Sequence, residues 1–517
     1  MCLRHRCASK TQNFQNAVDE DDRLHEACGV FGVWAPGEDV ARITYFGLYA
    51  LQHRGQESAG IATTEGQRLN VFRRMGLVAQ VFDEAALAGL QGPESLAAIG
   101  HTRYSTTGSN RACNSQPIEV SSPDLGPLAL AHNGNIINAL ALKNRLQEQG
   151  ASFEGTTDSE VIAQALVYTP GRDWVSRIRS LMPRLEGAYS LALLTPGAIY
   201  AVRDPFGIRP LCLGRLPHGA WVVASESCAL QTVGAAFTRE VKPGEIVQID
   251  GSGLTTWETA PDHPQALCVF EYIYFARPDS KIGGRPNYLA RQAMGRQLAI
   301  EQPADADIVI GVPDSAIPAA IGFAQQAGLP YTEGLVKNRY IGRTFIQPDQ
   351  TMRARGVELK FNPLPEVLEG RRVVVVDDSI VRGTTTKPIV DLLRKAGARE
   401  VHVRIHSPAM RHPCYLGVDT ARREELIAHR LNVAEICRHI GADSLGYLSL
   451  AGLFTAVAID EGRGDTLCQG CFTGNYPMPV QMELPLNAKL ALEVNEESPL
   501  PDHSADRIPR PVLVGVR

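Results

Sequence analysis

Residues 373–386 read VVVVDDSIVRGTTT, and no other stretch of this chain restricts its fold so tightly. Four consecutive valines are the pattern of a strand buried on both faces, as in a parallel sheet covered by helices. Two carboxylates, Asp377 and Asp378, stand where that strand should end. A loop of glycine and hydroxyl residues follows, and Pro388 opens an amphipathic helix that Gly397 can close. Ligands of open α/β sheets bind beyond the carboxyl ends of the strands. The loop offers backbone N–H groups and the hydroxyls of Ser379, Thr384, Thr385 and Thr386 to a phosphate at the helix N-terminus. The paired carboxylates suit either sugar hydroxyls or a divalent metal held partly through water. The loop is not a Walker A motif, because GxxxxGK[ST] is absent.

A chain of 517 residues has room for two or three domains around this element. Its net charge of −5 gives no electrostatic reason to expect nucleic acid as a partner. Residues 448–459 form one of the longest apolar runs, far too short to span a membrane. Arg4, Arg6 and Lys10 are not followed by the hydrophobic segment of a secretory signal, and the acidic run at 19–22 argues against an organelle transit peptide. The expected location is cytoplasmic. Eleven cysteines are then no disulfide framework. Cys468 and Cys471 form CQGC, which by itself can be a redox pair, half of a metal site or coincidence.

Three regions follow one another. Residues before Cys28 are polar and aperiodic, as expected of a disordered or removable leader. From Cys28 to about Gln248 short strands and glycine turns dominate, with helical patterns at 43–52 and 159–167 and strands at 189–194, 199–202 and 221–224. Residues 250–265 read as a linker. From Leu267 to about Asp460 strands alternate with helices: a strand at 307–312, a PDS turn at 313–315, a helix at 317–326, a helix at 387–395 and a strand at 401–405. That is a βαβ pattern and implies a parallel sheet. Past Gly474 the chain turns Pro-rich and acidic, the composition of a peripheral tail.

The N-terminal region carries CGVFGVWAP from Cys28, LQHRGQESAG at 51–60, GHTRYSTTG at 100–108, HNGN at 132–135 and TTDSE at 156–160. Singly, Arg103 could be a surface ion pair, HNGN a hairpin turn and Asp158 a helix cap. Together they resemble the glutaminase domain of the class II, N-terminal-nucleophile amidotransferases, a four-layer αββα sandwich. The resemblance implies that Cys28 is the nucleophile and first residue of the mature chain, with residues 1–27 removed as a propeptide. An α-amine with pKa roughly 7.7–8.0 suits the role of base near neutral pH. It also implies that Arg103 pairs with the glutamine carboxylate and Asp158 with its α-ammonium. Asn133 and Gly134 would form the oxyanion hole, where a donor contributes about 3–4 kcal/mol to lowering the barrier.

VVVVDDSIVRGTTT resembles the phosphoribosyl pyrophosphate (PRPP) signature of type I phosphoribosyltransferases, an α/β fold on a central parallel sheet. The resemblance implies that Asp377 and Asp378 contact the ribose, and that Ser379, Arg382, Gly383, Thr384 and Thr385 belong to the phosphate loop. Ser315 of the PDS turn would lie near Mg2+ with Asp377 and Asp378. KNRYIGRTFI at 337–346 is similar to the mobile loop that closes over PRPP, with Lys337, Arg339 and Arg343 suited to pyrophosphate. Glutaminase followed by PRPP domain is the combination of the glutamine PRPP amidotransferase family. Its iron–sulfur branch places cysteines in the contexts of Cys268, Cys414, Cys468 and Cys471. Four thiolates make a complete [4Fe–4S] ligand set, although zinc accepts the same sulfurs.

The implied domains are a propeptide at 1–27, the glutaminase at 28–255, the transferase at 266–460 and a C-terminal segment at 461–517 with the CxxC ligands. The implied reaction moves ammonia from glutamine to PRPP, giving 5-phosphoribosylamine at the opening of purine nucleotide synthesis. By the same resemblance the enzyme is a homo-oligomer, a tetramer in analogy. The rivals are another class II amidotransferase, which lacks the PRPP string, and a regulatory PRPP-binding protein with a dead transferase domain. Glutaminase assays with and without PRPP separate the three.

Overall fold

A computed structural model describes residues 28–104, 109–259, 264–338, 360–418, 423–457 and 467–480. The expected leader, Arg339 and Arg343 of the expected mobile loop, and everything past 480 lie outside these residues.

Gly29–Trp34 carries no polar side chain, and both of its faces are buried. Phe31 and Val33 pack with Val40, Leu48 and Leu51 in one core, while Val30 and Trp34 pack with Ala129, Ala192 and Ile199 in another. A strand with two apolar faces needs a layer on each side. It receives a helix layer, led by Val40–Ala50, on one side and a second sheet on the other. The first sheet has seven strands, with Gly29–Trp34 between Trp221–Ala224 and Ala97–Arg103. The second has six, centred on Ala198–Arg203, Gly187–Thr195 and Gly126–Ile136. Its outer face is covered by Ala139–Glu148, Asp158–Tyr168 and Trp174–Leu181. The result is the expected αββα sandwich.

The C-terminal region is built on four parallel strands in the order Ile308–Gly311, Arg372–Asp377, Glu400–Ile405, Ser444–Tyr447. Val373 to Val376 are all but inaccessible to solvent, as a central strand covered on both faces requires. Asn287–Glu301, Ile317–Ala327 and Thr386–Lys395 supply buried residues to the same core. No helix among the described residues is long and apolar enough to cross a membrane.

Several expectations need correction. Residues 250–265 are not all linker: Gly253–Glu258 is a strand paired with Glu245–Asp250. Its Gly and Ser residues belong to the hairpin turn, where Asp250 accepts from the backbone and hydroxyl of Ser252. The helix foreseen at 43–52 begins at Val40, because the Asp39 carboxylate caps the Arg42 N–H. The helix after the PRPP string starts at Thr386, two residues before Pro388. The chain just past Gly474 is packed rather than peripheral: Tyr476 donates to the Pro413 carbonyl at 2.5 Å, and Met478 is buried.

The two regions meet around buried charge. Arg54 donates to Glu226 of the sandwich and, at 2.7 and 3.0 Å, to both oxygens of Glu271. All three side chains have no exposed surface. Burial alone would lower the Arg54 pKa; the Glu271 and Glu226 carboxylates outweigh it and raise it.

Candidate functional sites

Cys28, Arg103, Gly134 and Asp158, named from separate motifs, line one cleft of ≈ 220 Å³. Cys28 stands just ahead of the strand Gly29–Trp34, and Arg103 ends the neighbouring strand Ala97–Arg103. The Tyr104 N–H points at the Cys28 sulfur, 3.5 Å away, and the thiol donates to the Tyr104 carbonyl at 3.3 Å. Burial pushes the Cys28 thiol up, against the lowering effects of Tyr104 and Arg103. A thiol held protonated needs a nearby base to attack a carbonyl carbon.

Arg103 is no surface residue. It is buried, donates to the Ser109 carbonyl at 3.3 Å and lies 3.7 Å from Glu57. HNGN is no turn either: it lies within the strand Gly126–Ile136, opposite 188–191 of the next strand. Gly134 has φ +144°, and a Cβ there would stand 2.1 Å from the Ala188 carbonyl oxygen, so only glycine fits. The Asn133 amide is fully buried, and neither its oxygen nor its nitrogen has a hydrogen-bond partner among the described residues. A buried amide left unsatisfied costs about 1–3 kcal/mol, which a bound ligand can recover. The cap of the helix Asp158–Tyr168 is Thr157, so Asp158 is released from that role. Its two oxygens accept from Ser159 N at 2.9 Å and Ile136 N at 3.1 Å.

Gln116, His132 and Ser159 also line the cleft and were not singled out from the sequence. Gln116 accepts from His132 N at 2.8 Å and donates to Ser159 Oγ at 3.0 Å, which lies 3.1 Å from His132 Nδ1. Burial lowers the His132 pKa, partly opposed by Asp158. His132 lies in a strand, Ser159 in a helix and Gln116 in the loop before Ile118–Ser122, and no local periodicity ties the three together.

The second site forms at the carboxyl ends of Ile308–Gly311 and Arg372–Asp377. Ser315 Oγ donates to Asp378 Oδ2 at 2.6 Å, and Ser379 Oγ to Asp378 Oδ1 at 2.7 Å. The Asp377 carboxylate accepts the Asp378 N–H. Lys337 Nζ reaches Asp314 of the PDS turn at 2.9 Å, which joins the strand entering the expected mobile loop to this site. Gly383 has φ +84°, Thr385 is buried and Thr384 exposed at the start of the helix Thr386–Lys395. Arg382 is turned to Glu425 at 3.0 Å. Both oxygens of Asp378 thus accept a serine hydroxyl.

The four cysteines expected as ligands are neighbours. Leu267–Cys268 and Leu467–Cys468 pair as a short parallel ladder with Cys268 opposite Cys468. The Cys471 carbonyl accepts from the Arg411 and His412 N–H groups, which brings in the segment of Cys414. Burial raises the pKa of Cys268 to about 11 and raises those of Cys468 and Cys471; the other cysteines, Cys414 included, act in the same sense. Among the described residues no group of His, Cys, Asp and Glu is arranged to grip a metal ion as it stands. Beside the thiols, Arg209 is fully buried, and its Nε and Nη2 have no partner among the described residues. Such donors suit an anionic centre.

Comparison with known proteins agrees with this two-site architecture. The glutamine amidotransferase domain family matches residues 101–232, and the phosphoribosyl transferase domain family residues 294–417. The amidophosphoribosyltransferase of Synechococcus elongatus is 52% identical over 481 residues, 92% of this chain and 96% of that protein. A solved structure described as the allosteric regulatory enzyme of purine biosynthesis superposes with TM-score 0.83 at 46% identity, covering 88% of this chain and 97% of that one. The B. subtilis glutamine PRPP amidotransferase complexed with ADP and GMP gives 0.82 at 46%, covering 88% and 98%. Resemblance of this extent includes both sites and the ground between them: the chain belongs to the amidophosphoribosyltransferase family.

Proposed function

We propose that the two sites run one reaction in sequence, glutamine supplying ammonia at the first and PRPP receiving it at the second. The observation that carries this reading is the convergence of Cys28, Arg103, Gly134 and Asp158 on one cleft. Removal of residues 1–27 would free the Cys28 α-amine, a base of suitable pKa for a thiol that burial keeps protonated. The amine takes the thiol proton as sulfur attacks the glutamine amide carbon. The oxygen of the tetrahedral intermediate, now negative, is held by the Asn133 amide and the Gly134 N–H. Its collapse breaks the C–N bond, the proton returns to the leaving nitrogen and ammonia departs. Water then hydrolyses the thioester to glutamate. Arg103 and Asp158 hold the two charged ends of the substrate.

At the second site, ammonia displaces pyrophosphate from the anomeric carbon with inversion, and loss of one proton leaves 5-phosphoribosylamine. Asp377 and Asp378 hold the ribose hydroxyls. Ser379, Arg382, Gly383, Thr384 and Thr385 cradle the 5-phosphate, and Lys337 and Arg343 would supply charge to pyrophosphate. Ser315, Asp377 and Asp378 would hold Mg2+, which supplies neutralising charge to the leaving group. Cys268, Cys414, Cys468 and Cys471 would hold a [4Fe–4S] centre, which supplies four bonds joining the C-terminal segment to the transferase domain. The working unit is a cytoplasmic homo-oligomer, with domains at 28–255 and 266–460.

Side-chain 15N-glutamine tests the reading. Label should appear in phosphoribosylamine in the wild type. Cys28→Ala should make product only from added ammonium. Glutamate release with no PRPP-derived pyrophosphate would overturn the coupled reaction.

A further inference from the structure

The HPCYLG segment of the transferase domain reaches across to the glutaminase strand that carries Asn133 and Gly134. Asn135 Nδ2 donates to the Tyr415 carbonyl at 2.8 Å, 280 positions further along the chain. Two residues on, Gly417 has φ +103° and lies flat against Gly134: a Cβ on Gly417 would stand 2.9 Å from the Gly134 carbonyl carbon and 3.0 Å from its Cα. The same Cβ would stand 3.1 Å from Nη2 of Arg209. Such closeness excludes any side chain at 417 and leaves the oxyanion backbone no room to move outward.

The segment is itself anchored. Leu416 is buried, and its N–H points to Cys414 Sγ at 3.3 Å. Tyr415 packs edge-on against Tyr476, whose hydroxyl binds the Pro413 carbonyl. From the other side, Ile136 N is held by Asp158 and Ile137 N by the Glu186 carbonyl. Gly134 thus sits between a fixed strand and a fixed loop from the other domain.

The geometry points to Asn135 and Gly417 as positioning residues of the glutaminase, which use the transferase domain to fix the Gly134 N–H where negative charge develops. This rests on the assignment of Asn133 and Gly134 as the oxyanion hole. A donor contributes to rate only when it is held in place beforehand, because reorientation during the reaction consumes the gain. On the proposed reading Arg103 and Asp158 hold the charged ends of the substrate and this pair does not, so its influence falls on kcat and not on glutamine binding.

The test uses the full mature enzyme with Asn135→Ala, Gly417→Ala and, in parallel, Asn133→Ala. The expected result for the first two is a kcat with glutamine reduced about 10–100-fold, short of the ~10²–10³-fold loss on removing a donor outright. KM for glutamine should stay within about two-fold, and ammonia-dependent turnover should be unchanged. That last activity certifies the fold in the same sample. If Gly417→Ala loses both activities, Asn135→Ala decides. Normal kcat in Asn135→Ala beside a crippled Asn133→Ala overturns the clamp alone. A rise in glutamine KM at constant kcat overturns it too, since it would mark a binding role. Normal kcat in Asn133→Ala overturns the oxyanion assignment, and the clamp with it.

Discussion

Ser315 and Asp378, 63 positions apart, are joined by a 2.6 Å hydrogen bond from the serine hydroxyl to Oδ2 of the carboxylate. The bond links the turns after two adjacent parallel strands, the place where an open α/β sheet presents a ligand. Each oxygen of Asp378 takes a hydroxyl, from Ser315 or Ser379, so the carboxylate is held in one orientation.

Asp377→Asn and Asp378→Asn should therefore reduce ammonia-dependent phosphoribosylamine formation far more than basal glutaminase activity. A charge-assisted hydrogen bond contributes about 1.5–3 kcal/mol, which corresponds to roughly 10–150-fold. Both activities are measured on one preparation. Equal losses in a folded enzyme would assign the pair a structural role.

Cys28→Ser should block or slow removal of the leader and abolish glutamine use, leaving synthesis from ammonium intact. N-terminal sequencing of the active wild type should return Cys28. An active enzyme beginning at any earlier residue would contradict the α-amine as base.

Substituting Ser for Cys268, Cys414, Cys468 or Cys471 should remove visible absorption and give labile or insoluble protein, because an incomplete ligand set no longer holds distant segments together. Cys437, whose thiol donates to the Ala442 carbonyl at 3.2 Å, should tolerate Ser far better. Anaerobically prepared protein with zinc or no metal and full activity would rule the cluster out.

Acid should weaken the fold through His101. Its ring is buried, which lowers its pKa from 6.5 to about 3, although the His132 carbonyl acts in the opposite direction. The folded state keeps it neutral, so its contribution is complete above pH 6.5 and declines as pH falls towards 3. Over that window the loss is about 1.4 kcal/mol per pH unit. The urea midpoint should fall less steeply on acidification in His101→Asn; parallel slopes would show that His101 does not titrate this way.

Glu271→Ala should leave Arg54 with half its counter-charge in a sealed interface. Breaking a buried ion pair from one side costs about 3–5 kcal/mol, and the thermal midpoint should drop accordingly. An unchanged midpoint would mean that water enters and solvates the arginine.

Much of this was legible in the residues, and unevenly. Val373 to Val376 announced a central strand because double burial leaves no polar position. Gly397, with φ +94°, follows the end of the helix Thr386–Lys395, where glycine chemistry places it. The reading of 250–265 went wrong because Gly, Ser and Asp mark a tight hairpin turn as readily as a linker. Cys28, Arg103, Gly134 and Asp158 were found as motifs, while the roles of Gln116 and Ser159 became visible only when a loop and a helix distant in sequence put them beside His132. Arg54 and Glu271 are 217 positions apart, and no periodicity encodes such a pair.

Arg54 also has a bearing on ancestry. Its guanidinium answers to one carboxylate from each half of the molecule, Glu226 and Glu271. A glutaminase half borrowed from an unrelated fusion and lacking Arg54 would leave Glu271 in a dry seam with Arg209, at 3.3 Å, as its remaining cation among the described residues. Recombination at this boundary thus carries an electrostatic penalty that no adjustment of the connecting peptide can remove. The halves are bound to drift together, each fixing the charge the other is permitted to keep.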